Sequence, residues 1–143
     1  MKKVFVDTDV CLDLLSGREP FVLDASRLFD RLFKEGEKSF VSAFTFVTLH
    51  YFLKKKKISE AETRATLERF KAKVEILPVT EKTIAKALLS GVPDFEDAVQ
   101  IQAAELAQMD LIITRNTKDY KKAGVKVLTP AQFLASLRPP FST

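Results

Sequence analysis

The chain has 143 residues, enough for one domain with a continuous core and too few for two ordinary ones. Hydrophobic residues make up 46% and charged residues 29%, which excludes a largely disordered chain, while a formal net charge of +4 favours polyanionic partners without demanding one. No apolar run approaches the roughly 20 residues that cross a bilayer, Asp7, Asp9 and Asp13 interrupt any signal-peptide core behind Met1-Lys2-Lys3, and Cys11 stands alone, so a soluble protein of the reducing cytoplasm, with no membrane contact, is predicted.

In chain order, residues 3–6 are β-branched and aromatic and predict a strand buried on both faces. Residues 8–16 carry Val10, Leu14 and Leu15 at helical spacing, with Gly17 as a natural stop. Pro20 suits the first turn of a second helix, whose stripe of Phe21, Leu28, Phe29, Leu32 and Phe33 ends at Gly36. A second strand is expected at 39–42 and a mostly apolar helix at 45–55. Ser59 and Glu62 form a capping box ahead of a helix with Leu67 and Phe70, and 74–77, before Pro78, predicts the third strand. Thr80 caps a helix that stops near Gly91, and Asp94 precedes a helix whose apolar face includes Ala98, Ile101, Ala104, Leu106 and Ala107. The fourth strand is expected at 111–114, a helical turn at 117–123, the fifth strand at 125–128, and a last helix after the capping box Thr129-Pro130-Ala131-Gln132.

Strands alternating with helices require parallel pairing through right-handed crossovers, hence an α/β fold: a three-layer α/β/α sandwich around a parallel sheet of about five strands. Residues 1–137 are expected to form the single domain and 138–143 a short tail. In such sheets the ligand crevice lies outside the carboxyl ends of the strands, where strand order reverses. Asp7, Ser42 and Thr114 fall at such ends, and Asp97, Asn116 and Asp119 stand beside other apolar runs. Carboxylates gathered without counter-charge repel one another, so their cluster implies a bound cation. Magnesium or manganese matches a hard-oxygen site, and His50, the sole histidine, argues against a histidine-rich zinc centre. Such ions orient water and stabilise the charge that develops in phosphodiester cleavage.

The segments V-F-V-D-T-D-V, D-F-E-D-A and I-I-T-R-N-T-K-D-Y, in that order, resemble those of PIN-domain nucleases over nearly the whole chain. G-R-E-P-F and V-L-T-P-A-Q-F-L are similar to a bacterial branch near the VapC toxins. The resemblance implies a Mg2+- or Mn2+-dependent endoribonuclease acting on RNA, a homodimer, and an antitoxin partner. It implies that Asp7 and Asp97 are catalytic metal ligands. The last acidic position falls on either Asn116 or Asp119, with Thr114 as the accompanying hydroxyl. In S-A-F-T-F-V-T-L, Thr48 occupies a position where many relatives carry glutamate, so Glu96 or Asp94 would supply the missing charge, or activity would be weakened or lost. Lys54, Lys55, Lys56, Lys57, Arg115 and Lys118 are candidates for RNA-backbone contact.

Each residue also has a plainer role. Asp94 fits an N-cap with Asp97 as its capping-box partner, and Asp7 an N-cap of the first helix, with Asp9 and Asp13 solvated. Thr8 and Ser42 either cap helices or hold a water. The four lysines complement a helix carboxyl end as well as they meet phosphate. Arg115 is either a bidentate phosphate donor or a surface residue. Cys11 and His50, in apolar stretches, are expected to be packing residues. Two rivals share these features: a phosphatase of the haloacid-dehalogenase type, from D-T-D after a strand, and a PIN-like RNA- or protein-binding module without catalysis.

Overall fold

In the computed structural model, residues 2–137 are described, and the expected tail at 138–143 lies outside them. Five short strands, β1 (Val4–Val6), β2 (Ser39–Ser42), β3 (Glu75–Leu77), β4 (Leu111–Ile113) and β5 (Lys126–Leu128), alternate with seven helices. The helices are α1 (Thr8–Ser16), α2 (Val22–Lys34), α3 (Ala43–Lys55), α4 (Glu60–Lys71), α5 (Glu81–Leu89), α6 (Phe95–Leu106) and α7 (Pro130–Ser136). A 3-10 turn covers Thr117–Tyr120. All strand pairs are parallel, in the order β3-β2-β1-β4-β5.

Because strand side chains alternate between faces, Val4, Val6, Leu111 and Ile113 enter one core with Val10, Leu28, Leu32 and Leu49. Phe5 and Ile112 enter the other with Ile101, Ala104 and Tyr120. A sheet buried on both sides explains why β1 and β4 read as continuous apolar runs rather than alternating ones. The three-layer expectation is therefore met.

Element boundaries depart in two informative places. The second helix begins at Val22, not Pro20, because the preceding turn is closed by a 2.7 Å bond from the Val22 amide to the Arg18 carbonyl. The third begins at Ala43, directly after the strand, because Ser42 ends β2 and caps α3 at once: its hydroxyl accepts the Thr45 amide at 3.1 Å. This abrupt strand-to-helix junction brings the start of α3 to the carboxyl edge of the sheet. His50 is not a packing residue; it is half-exposed and its ring nitrogen meets the Glu60 carboxylate at 2.9 Å. Cys11 is buried, as expected for packing.

Strand order runs outward from β1 through β2 to β3 on one side and through β4 to β5 on the other, so it reverses between β1 and β4. Their registered pairs, Val4 with Leu111 through Val6 with Ile113, bring Asp7 and Thr114 side by side at the carboxyl edge. The pairing depends on Ile112, fully buried in the second core. Truncation by Ile112→Ala should cost about 2–5 kcal/mol, seen as a lower urea midpoint with an unchanged denaturant slope.

Candidate active site

The crevice forms at the β1/β4 switch point, the place parallel α/β sheets reserve for ligands. Asp7 sits at the junction of β1 and α1 and is buried. Its Oδ1 accepts the Thr8 amide at 2.8 Å and the Gln100 side-chain amide at 3.2 Å. Its Oδ2 accepts the Thr114 hydroxyl at 2.8 Å. Thr114, fully buried after β4, thus supports Asp7 from beneath rather than facing the open crevice. Asp7 also caps α1, so its capping and site roles coincide.

Gln100 is the hub that sequence reasoning missed. It is buried one turn beyond Asp97 on α6 and reaches three elements at once. Besides Asp7, its amide nitrogen meets the Thr8 hydroxyl at 3.1 Å and the Thr45 hydroxyl at 3.0 Å, while its carbonyl oxygen accepts from Ser42 Oγ. Ser42 and Thr8 therefore do more than cap helices: they join a buried polar network tying α1, α3 and α6 beneath the carboxylates. The only available signal was spacing, since a glutamine three residues after Asp97 lies on the same helix face.

The second omission is Asp9, expected to be solvated. Its Oδ2 accepts the Arg115 backbone amide at 3.2 Å and comes within 3.4 Å of the Thr114 hydroxyl, while its Oδ1 is buried with no hydrogen-bond partner among the described residues. Burial, and then the Asp7 charge, hold its carboxyl well above the usual range. The Asn116 side-chain amide reaches Asp9 Oδ2 at 3.5 Å. The Tyr120 hydroxyl is likewise buried and without a partner among the described residues. Burial and then the neighbouring Asp7 and Asp97 charges push its ionisation upward.

Asp94 caps α6 by accepting the Asp97 amide at 3.0 Å. The capping box is incomplete, because the Asp97 carboxylate accepts no hydrogen bond among the described residues and is left for the crevice. Burial first, and then the charges of Asp7, Asp94, Asp119 and Asp9, push its pKa up to about 7. Asp7, Asp9, Glu96, Asp97, Asn116, Thr48 and Gln100 line a cavity of about 220 Å³. Asp97 also forms a wall of a neighbouring cavity that holds Asp119 and Lys118. Asn116 and Asp119, alternatives for one position in the sequence, thus stand on two sides of Asp97. The Thr48 hydroxyl bonds back to the Phe44 carbonyl at 3.2 Å.

Arg115 is neither a free phosphate donor nor a surface residue. Its guanidinium grips buried Asp13 at 2.6 and 3.3 Å and lies 3.9 Å from the centre of the Phe21 ring. Asp13 is therefore a buried counter-ion, not a solvated helix residue. The lysine run is not gathered at the carboxylates either. Phe44, Thr48 and Phe52 lay one side of α3 along the cavity, and Lys54, Lys55, Lys56 and Lys57 lie at or just past the end of the helix without lining it. Lys54 bonds the Ile58 carbonyl, Lys55 packs over Tyr51 and Lys56 bonds the Ser16 carbonyl.

The crevice offers carboxylate, hydroxyl and amide oxygens, which suit a hard cation, with the Arg18 guanidinium on the same wall. Among the described residues no three His, Cys, Asp or Glu side chains form a ready-made metal cage. Magnesium does not require one, since it is bound through one or two carboxylates and keeps several waters. The unpartnered Asp9 oxygen and the repulsion felt by Asp97 fit such an ion.

The PIN domain family model matches residues 3–118, most of the chain, and the protein belongs to the PIN domain family. It is similar to a chain of a toxin-antitoxin complex from Klebsiella pneumoniae, with 26% identity and a TM-score of 0.64 over 89% of this chain and 97% of that one. DNA-bound VapBC from Salmonella typhimurium contains a chain of the same fold, with 16% identity and a TM-score of 0.69 over 91% and 99%. A Mycobacterium tuberculosis VapC described as a sarcin-ricin loop cleaving toxin gives 17% identity and a TM-score of 0.60 over 76% and 86%. No curated protein sequence matches the chain. Family membership removes the phosphatase alternative, because the match includes both the D-T-D start and the T-R-N-T-K segment.

Asp9 and Asp97 hold their protons to higher pH in the folded chain than the roughly 4 expected when unfolded. Between those values the folded state binds more protons, so metal-free stability should fall as pH rises from about 4 through about 7. Asp97→Asn should melt above wild type at pH values past about 7, with the gap closing toward about 4, in calorimetry with chelator. An equal gap at both ends would refute the repulsion.

Proposed function

We propose that the protein is a metal-dependent endoribonuclease, the toxin of a toxin-antitoxin pair. The observation that carries this reading is the convergence of Asp7, Asp9 and Asp97 around one cavity at the strand-order switch, with Arg18 on its wall and Arg115 bound to Asp13. Asp7 and Asp97 would hold Mg2+ or Mn2+, assisted by Asp9, Glu96 and Asp119. Bound there, the ion supplies Lewis-acid polarisation of a phosphodiester and lowers the cost of ionising a water.

The chain's own groups fix the geometry around it. Thr114 and Gln100 clamp the two Asp7 oxygens, leaving the carboxylate one orientation. Asn116, at the crevice rim, is placed to donate to a phosphate oxygen or a water. The raised proton affinity of Asp97 suits a group that gives up its proton when positive charge arrives.

The absence of a carboxylate at Thr48 favours the binding-module alternative, but Asp9 and Glu96 line the same crevice and supply acid there. Similarity to toxin-antitoxin complexes supports an antitoxin partner. Exposed Leu23 and Phe33 on α2, and Val47 and Tyr51 on α3, offer apolar surface for it or for a homodimer.

The decisive experiment compares wild type, Asp7→Asn and Asp97→Asn on mixed RNA with Mg2+ or Mn2+ and with chelator. Wild type should cleave only with metal, and each variant should lose on the order of 10²–10³-fold, the usual cost of removing one group that stabilises developing charge. Cleavage that survives both substitutions would reject this site, and a chain inert to RNA under all conditions would reject the nuclease.

A further inference from the structure

The cavity beside the crevice shares Asp97 and Asp119 with the proposed metal site, but its lysines have no part in the chemistry so far assigned. It measures about 420 Å³ and lies between the loop before α6, with Val92, Pro93 and Asp94, and the segment carrying Lys118, Asp119, Lys121 and Lys122. Its volume falls in the ~300–1,000 Å³ range of small-ligand pockets. Asp97 is common to this cavity and the acidic crevice, so a strand leaving the crevice on that side enters it directly.

The charges there are arranged for an incoming anion. Lys118, Lys121 and Lys122 stand beside three carboxylates, yet among the described residues none forms an ion pair with Asp94, Asp97 or Asp119. Asp94 is occupied as the cap of α6. Lys118 and Lys121 make no hydrogen bond through their ammonium groups among the described residues. Lys122 spends one of its three donors on the Gly91 carbonyl at 3.1 Å, which anchors it at the cavity edge. Val92 and Pro93 supply an apolar wall against which a ribose can pack.

We infer that this cavity is the subsite for the nucleotide next to the scissile phosphate of a single-stranded RNA, with Lys118, Lys121 and Lys122 holding its phosphate. The inference rests on the nuclease reading and deepens it by giving the strand a direction: from the acidic crevice past Asp97 toward the lysines, and not only toward the lysine run at the end of α3.

The test is binding of a short, fluorescently labelled single-stranded RNA to Asp7→Asn protein with Mg2+, where cleavage is suppressed, as a function of salt. Replacing Lys118, Lys121 and Lys122 together by Ala should weaken binding about tenfold or more and flatten the log-log salt slope by about 2, since each single-strand phosphate contact contributes about 0.7. A charge-matched control replaces Lys38, Lys71 and Lys73, which precede β2 and β3 at the amino edge of the sheet. It should keep both affinity and slope. The Lys→Arg triple should retain most of the affinity, and all variants should melt like their parent. If the cavity triple binds like the charge-matched control, the subsite is wrong, while cleavage by wild type would leave the nuclease reading standing. If wild type neither binds nor cleaves RNA, both fall together.

Discussion

The parallel pairing of β1 with β4 governs everything that follows. It is closed at its carboxyl end by the Asp7 amide donating to the Ile113 carbonyl at 2.9 Å, one residue before Thr114 donates to the Asp7 carboxylate. Because strand order reverses there, the chain segments leaving β1 and β4 diverge and leave a crevice. Sheet geometry thus decides both where the carboxylates meet and that solvent or a ligand can reach them.

Bringing these acids together conflicts with stability. Asp9 and Asp97 are driven toward their neutral forms by burial and by the charge of Asp7, and one Asp9 oxygen is buried with nothing to bond among the described residues. The fold relieves this only in part: the Arg115 charge favours ionised Asp9, but its guanidinium is bound to Asp13 and stacked on Phe21. A structure retains such repulsion where the surrounding contacts over-determine the side chains. Gln100 and Thr114 do that here, holding Asp7 with neutral donors that add no charge to cancel the site.

Resemblance to the PIN family and the burial of Asp97 account for different parts of the chemistry. Membership establishes the scaffold and the order of motifs. It does not explain how a chain with threonine at position 48 keeps an acidic crevice. The local answer is Asp9, on the first turn of α1, and Glu96, on the first turn of α6, both aligned with the same cavity as Thr48.

Strand and helix identity, the parallel sheet, and the roles of Asp7 and Asp94 as caps were determined by sequence alone, because they rest on local periodicity, capping preferences and the alternation of elements. Asp97 was also legible, as an acid on the first turn of a helix. What only the tertiary structure decided is which charges are already spent. Arg115 and Asp13 are 102 positions apart and become a buried ion pair, Gln100 reaches Asp7 across 93 positions, and Asp9 loses its solvent under the β4 loop. The lysine run, conspicuous in sequence, lies at the end of α3 and lines neither cavity, while Lys121 and Lys122 come beside Asp97. Local sequence carries backbone propensity; desolvation and pairing depend on which distant segments the sheet brings together, and no spacing rule encodes that.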